Sequence, residues 1–190
     1  MDTLFICFNA FLLLFIFLAG GWNKITNFKD TANYLEAKIN EIQLNPTFIA
    51  AIMTTILYFY GVIFYMQPKN MCLFILISIV IAGIPFLAYF KKYLNQNQAA
   101  LVSFIYDAAI AGVIGLLTFG SLLILYSLYT SKYQEYAYIA TIGLAVFTAM
   151  TILIFHFPTN KSEIISFTKN LSIFGGLMLL SQRFSNTWPL

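Results

Sequence analysis

Six long runs of apolar residues make up most of this chain, and they constrain its fold more than any other feature of the sequence. Crossing the roughly 30 Å hydrocarbon core of a bilayer takes about 20 apolar residues in a helix, and irregular backbone cannot face lipid. Each run therefore predicts one transmembrane helix. The predicted spans are Thr3 to Gly21, Thr47 to Met66, Met71 to Phe90, Gln98 to Thr130, Ala137 to Phe157, and Glu163 to Ser181. We predict an all-α, polytopic transmembrane helical bundle.

The composition excludes an ordinary water-soluble domain. Of the 190 residues, 61% are apolar and 9% are charged, whereas about 25% are charged in a typical soluble domain. Such a chain has too few polar side chains to cover a surface that faces water. Its net charge of +3 comes from basic residues scattered between the apolar runs, so we expect membrane lipid and no nucleic acid as a partner.

One stretch between the first and second spans has the pattern of an amphipathic helix. Apolar residues recur at helical spacing from Phe28 to Ile42, and charged or amide side chains from Lys29 to Glu41 fall on the opposite side. The pattern predicts a helix that lies flat at the membrane interface or caps the bundle. An interfacial connector is favoured over a substrate-gating lid.

The order of the spans predicts a single membrane domain over residues 1–190. Residues 1–45 hold the first span and the amphipathic helix, 46–97 hold two additional spans, and 98–190 hold three C-terminal spans. Seven Lys and Arg residues lie in the odd-numbered connections or next to them, including Lys169 near the start of the last span, and three lie on the other side. Because positive charge is enriched in cytoplasmic loops, the odd-numbered loops are predicted to be inside.

Asp107 is an acidic residue well inside a predicted span. A charge at membrane depth costs roughly a few kcal/mol, so its side chain should face the bundle interior and have a partner. Ser103, Asp107, Ala111 and Gly115 recur every four residues. This spacing puts the carboxylate on a stripe of small residues that permits close helix approach, and we expect that stripe to face inward.

Two further ionisable groups lie at the ends of predicted spans. Lys24 and Trp22 close the first span, and they are interpreted either as interfacial anchors or as part of a polar seam that leads into the bundle. His156, the single histidine, is interpreted either as an interfacial hydrogen-bonding group or as a group that exchanges protons near neutral pH. One histidine without a neighbouring carboxylate pair or cysteine is not a metal constellation, and we predict no metal site.

Both ends of the sequence resemble the DoxX family. The first span of that family closes with a phenylalanine, a glycine and a lysine, followed by a short helix that ends near a proline. The matching residues here are Phe17, Gly21, Lys24 and Pro46. The last helix of the family carries a Lys-Asn pair that leads into a glycine pair, and the matching residues are Lys169, Asn170, Gly175 and Gly176.

The middle of the chain departs from the family pattern. DoxX-like proteins usually have four spans, with an arginine early in the first helix and an acidic residue in the second. Ala10 occupies the arginine position here, and only Asp107 can supply the acidic residue. The additional pair of spans in residues 46–97 looks like an insertion between the two family-like ends.

The resemblance implies a bacterial inner-membrane protein. Some DoxX members are small subunits of thiosulfate:quinone oxidoreductase, and others are associated with membrane oxidoreductase assemblies. We therefore expect a membrane subunit that helps an oxidoreductase or quinone-linked complex to bind quinone or a small lipophilic substrate, in contact with other membrane subunits. Asp107 and His156 would handle protons. The residues expected to bind substrate are Lys24, Lys169, Asn170, Asn23 and Trp22.

Two other interpretations stay open. The chain is alternatively a non-catalytic accessory or scaffold subunit of a larger membrane assembly, whose aromatic outer faces contact other helices or lipid. A transporter or a lipid or cargo receptor is also consistent with a helical bundle, although it requires a cavity at the membrane midplane. Whether the protein is itself an enzyme is left open by the sequence.

Overall fold

A computed structural model describes residues 3–42, 44–66, 71–90, 99–158 and 161–185, and these residues form helices without any strand. In chain order the α-helices are α1 (Thr3–Thr26), α2 (Phe28–Glu41), α3 (Pro46–Met66), α4 (Met71–Phe90), α5 (Ala99–Gly115), α6 (Ser121–Thr130), α7 (Gln134–Phe155) and α8 (Ile164–Ser185). A π-helical turn, Leu116–Gly120, joins α5 to α6, and a short 3-10 turn, Lys161–Glu163, precedes α8. The predicted all-α class is confirmed.

Several of these helices have the length and composition of transmembrane segments. Within the described residues, five are long and apolar enough to cross a membrane: Thr3–Thr26, Pro46–Phe64, Ala100–Thr130, Gln134–Phe155 and Lys161–Ser185. A shorter apolar helix covers Cys72–Leu87. These helices indicate a multi-pass membrane protein. The predicted start of the fourth span, Gln98, lies outside the described residues.

Helix α7 lies at the centre of the bundle. It packs along α8 and also contacts α6, α3 and α2. Of its apolar segment, 56% is buried inside the protein, whereas 22 to 28% is buried in the other long apolar helices. Small buried residues such as Ala137, Ala145 and Ala149 allow neighbouring helices to approach it closely.

The other helices are arranged around this centre in two groups. Helix α1 packs against α6, the π-helical turn, α5 and α8, so that α1, α5–α6, α7 and α8 form a four-helix core. Helices α3 and α4 pack chiefly against each other and reach the rest of the bundle through contacts of α3 with α7 and α8 and of α4 with α2. Helices α3 and α4 therefore lie at the side of the core.

The helical run from α5 through α6 is longer than one membrane crossing. The apolar segment Ala100–Thr130 has 31 residues, which at 1.5 Å per residue extend about 46 Å, well beyond about 30 Å of hydrocarbon. The extra length lies alongside α2, where Ala32 and Ile39 pack against Tyr106 and Ile110 of α5. The beginning of α5 is thus at the level of α2.

Helix α1 approaches the π-helical turn most closely at Gly21. A Cβ atom at this position would lie 2.7 Å from Cγ2 of Thr118 and 3.3 Å from Cβ of Leu117. The preceding residue, Gly20, would place a Cβ in open space, with no atom within 4 Å. Gly21 therefore sets the distance between α1 and the π-helical turn, whereas Gly20 does not.

Candidate functional site

A cavity of about 320 Å³ lies between α1, α2, α5 and α7. Most of its wall is apolar and includes Ile110, Val113, Phe147, Met150 and Ile154. Two ionisable side chains from the predicted site, Lys24 and His156, also line it. We call this space the Lys24 cavity.

Lys24 reaches the Lys24 cavity from the last turn of α1, where its side chain is half-buried. A cation at the C-terminal end of a helix interacts favourably with the helix dipole, which favours lysine at this position. Among the residues that the structure describes, no carboxylate lies within ion-pair distance of its ammonium group. The ammonium is therefore available to an anionic or carbonyl group of a ligand.

His156 directly follows the last residue of α7, and its ring is held by Glu163. Nδ1 of the imidazole lies 2.9 Å from Oε2 of the Glu163 carboxylate. The short 3-10 turn before α8 brings this carboxylate back toward the end of α7. The two side chains are 29% and 36% exposed, so the pair lies at the border between the bundle and the solvent.

Glu163 also lines a second space, an outer cleft of about 430 Å³. Phe155 borders both this cleft and the Lys24 cavity, and its ring stacks on Tyr34 of α2 with centroids 5.4 Å apart. On the α2 side of the outer cleft, the ammonium of Lys38 lies 2.8 Å from Oε2 of Glu41. This hydrogen bond raises the pKa of Lys38 above its usual value.

Asp107 does not line the Lys24 cavity. Its Oδ2 lies 2.5 Å from Nζ of Lys29 on α2, and the two side chains are 27% and 68% exposed. The carboxylate thus has a partner, as expected from the sequence, and this partner is neither Lys24 nor Lys169. The reason is the length of the helical run from α5 through α6, whose beginning lies at the level of α2 and carries Asp107 there.

The remaining predicted site residues lie elsewhere in the described structure. Trp22 is 68% exposed on the outside of α1. Asn23 accepts a hydrogen bond from Nδ2 of Asn27 at 2.9 Å and so belongs to the turn between α1 and α2. On α8, Lys169 is exposed and Asn170 is buried. Of the predicted site residues, only Lys24 and His156 line the same cavity.

Two residues of the site were missed by sequence reasoning. Glu163 was treated only as the first residue of the last span, although it follows His156 by seven positions across a proline turn. Tyr34 lies in the amphipathic stretch, where no pattern distinguishes a cavity-lining ring from an exposed one. Glu163 could have been identified from the sequence, because it is a carboxylate close to the single histidine.

Comparison of the chain with protein-family models, with curated proteins and with solved structures found no match in any of the three.

The Lys29–Asp107 ion pair is expected to contribute little to stability. Exposed ion pairs are typically worth about 0.2 to 1 kcal/mol, because water screens the charges and the side chains lose entropy. Lys29→Met and Asp107→Asn should each lower the free energy of unfolding by no more than about 1 kcal/mol. Unfolding of the two single variants and the double variant by SDS titration measures the coupling. A loss of about 3 kcal/mol or more would show instead that the carboxylate is buried in the membrane.

Proposed function

We propose that the Lys24 cavity binds a small lipophilic molecule with a carbonyl or anionic headgroup, of the quinone class. We propose further that the protein is a membrane subunit of an oxidoreductase or quinone-linked complex. The observation that supports binding is the half-buried Lys24 ammonium, which lines a mainly apolar cavity and has no carboxylate partner among the described residues. The resemblance of both chain ends to the DoxX family supports the assignment to such a complex.

The chemistry of the cavity matches this class of ligand. Apolar walls take up a ring or an isoprenoid tail through the hydrophobic effect, and a cavity of about 320 Å³ falls within the roughly 300 to 1,000 Å³ usual for small-molecule sites. A carbonyl oxygen that accepts a hydrogen bond from the Lys24 ammonium forms a charge-assisted bond, stronger than a neutral one. Without such a partner, an ammonium next to apolar walls loses part of its hydration without compensation.

The test is equilibrium binding of a radiolabelled short-chain benzoquinone to the protein in lipid nanodiscs. Ala109 and Ala108 are adjacent on α5, and of the two only Ala109 lines the Lys24 cavity. We expect Ala109→Phe, which fills space at the cavity wall, to reduce specific binding at least about tenfold, and Ala108→Phe to leave it unchanged. Equal binding by both variants, or no saturable binding by the wild type, would contradict the proposal.

A non-catalytic accessory subunit is the second candidate. It is supported by the row of aromatic side chains on the outer face of α1, where Phe8, Phe11 and Phe15 are 60%, 41% and 58% exposed. Such a row fits against helices of another subunit or against lipid. Purification in mild detergent separates the two ideas. Stoichiometric association with a large membrane complex, without bound quinone, would favour the accessory role.

We infer six spans, with α2 at the cytoplasmic membrane interface of a bacterial inner membrane. Asn33 on α2 and Lys132 between α6 and α7 are both exposed, and this topology places them on opposite sides. In a background with Cys7→Ala and Cys72→Ala, we expect Lys132→Cys to react with a membrane-impermeant maleimide in intact cells. Asn33→Cys should react only after permeabilisation. The same labelling pattern for both variants would contradict the topology.

A further inference from the structure

The contact between His156 and Glu163 bears on which form of the ligand the cavity accepts. We propose that Glu163 holds neutral His156 in the tautomer that carries its proton on Nδ1, so that Nε2 offers a lone pair to a ligand hydroxyl. In this arrangement the Lys24 cavity prefers the hydroquinone form to the quinone form. The ligand preference rests on the proposed function, whereas the tautomer does not.

The tautomer follows from the donors and acceptors at the contact. A neutral imidazole has one N–H donor and one unprotonated acceptor nitrogen, and an ionised carboxylate can only accept. Because Nδ1 lies 2.9 Å from Oε2 of Glu163, the hydrogen bond requires the proton on Nδ1. The other nitrogen, Nε2, is then the acceptor.

Within the part of the chain that the structure describes, the side-chain hydrogen bond of the Glu163 carboxylate is the one with His156. On the α2 side of the outer cleft, the ammonium of Lys38 forms its hydrogen bond with Glu41 at 2.8 Å, and its interaction with Glu163 is electrostatic only. Among the described residues, the contact at Nδ1 is the hydrogen bond found for the His156 ring. Nε2 is therefore the ring nitrogen left for a molecule in the Lys24 cavity.

Lys24, Thr31 and Thr151 also present polar groups to the cavity. The Lys24 ammonium offers donors only. The hydroxyl of Thr31 donates to the backbone oxygen of Asn27 at 2.8 Å, and that of Thr151 donates to the oxygen of Phe147 at 2.9 Å, so each hydroxyl can offer a ligand only its oxygen lone pairs. A hydroquinone hydroxyl can donate to Nε2, whereas a quinone carbonyl has no proton to donate and places its lone pair against that of Nε2.

The tautomer can be measured directly, because the chain has a single histidine and its ring signals need no assignment. We expect ¹⁵N spectra of the wild type in detergent, at a pH where imidazoles are neutral, to show the proton on Nδ1. In Glu163→Gln the side-chain amide can donate to Nδ1, so the proton should move to Nε2. Glu135→Gln changes the same charge at the opposite end of α7 and should leave the spectrum unchanged. A wild-type spectrum with the proton on Nε2 would overturn the proposal, whatever the variants do.

Ligand preference is measured with a short-chain benzoquinone and its reduced hydroquinone under anaerobic conditions. The wild type should bind the hydroquinone about tenfold more tightly than the quinone, and Glu163→Gln should lose or reverse this ratio. Equal affinities in the wild type, with the proton on Nδ1, would overturn the ligand preference alone. If neither form binds, the proposed function fails, and the tautomer spectrum still decides the role of Glu163.

Discussion

A Lys24→Met variant is expected to bind a short-chain benzoquinone about 10 to 100 times more weakly than the wild type. A hydrogen bond to a charged donor is worth about 1.5 to 3 kcal/mol, and about 1.4 kcal/mol corresponds to a tenfold change in affinity. Methionine retains the length and apolar contacts of the lysine stem, so the loss reports the ammonium group alone. Equilibrium binding in lipid nanodiscs measures it.

Lys169→Met is the matched control for this prediction. Lys169 belongs to the second family-like motif and was expected from the sequence to bind substrate, but it is exposed on α8 and does not line the Lys24 cavity. Its replacement should leave the affinity unchanged. An equal loss in both variants would show that the two lysines act together, as the sequence predicted, and would contradict the assignment of the site to this cavity.

Gly21→Ala is expected to destabilise the protein by about 1 to 3 kcal/mol, the usual cost of overpacking a close contact. The new Cβ would lie 2.7 Å from Cγ2 of Thr118, and this side chain cannot easily move away. Its hydroxyl donates to the backbone oxygen of Ile114 at 2.7 Å, which fixes the position of the methyl group. Helix α1 would have to shift from the π-helical turn. SDS titration of the purified protein measures the free energy of unfolding.

Two variants show whether the contact with Thr118 is the cause. Gly20→Ala adds the same methyl group to the same helix without any neighbour within 4 Å, so its stability should be unchanged or slightly higher, since alanine favours the helix. Thr118→Ser removes Cγ2 and retains the hydroxyl, so it should restore stability to Gly21→Ala. Destabilisation by Gly20→Ala, or no rescue by Thr118→Ser, would contradict the packing of α1 against the turn.

The helices of this protein are predictable from the sequence because each apolar run must satisfy its backbone hydrogen bonds internally in lipid. Their ends are less predictable. The first span was expected to end at Gly21, but α1 continues to Thr26, which places Lys24 in the last turn of the helix and not in a loop. The π-helical turn within the fourth run could not be predicted from the hydrophobic pattern, because its residues are mostly apolar, like those of α5 and α6 on either side.

The site was predictable only in part, for a different reason. Lys24 was identified because it closes the first span within the family-like motif, and His156 because it is the single histidine. The position of Glu163, seven residues after His156, could have been noticed in the sequence. The position of Tyr34 depends on how α2 packs against α7, and no sequence spacing encodes that packing. Asp107 was expected in the interior because it lies within a long apolar run, but the extra length of that run places it beside Lys29.

Photo-crosslinking tests most directly whether the Lys24 cavity is the binding site. A short-chain benzoquinone with a diazirine on its tail is irradiated with the protein in lipid nanodiscs, and the labelled peptides are identified by mass spectrometry. We expect labelling of cavity residues on α5 and α7, such as Val113 and Met150, and its loss in Lys24→Met. Labelling confined to outward-facing residues such as Phe11 and Leu57, or labelling that Lys24→Met leaves unchanged, would contradict the account.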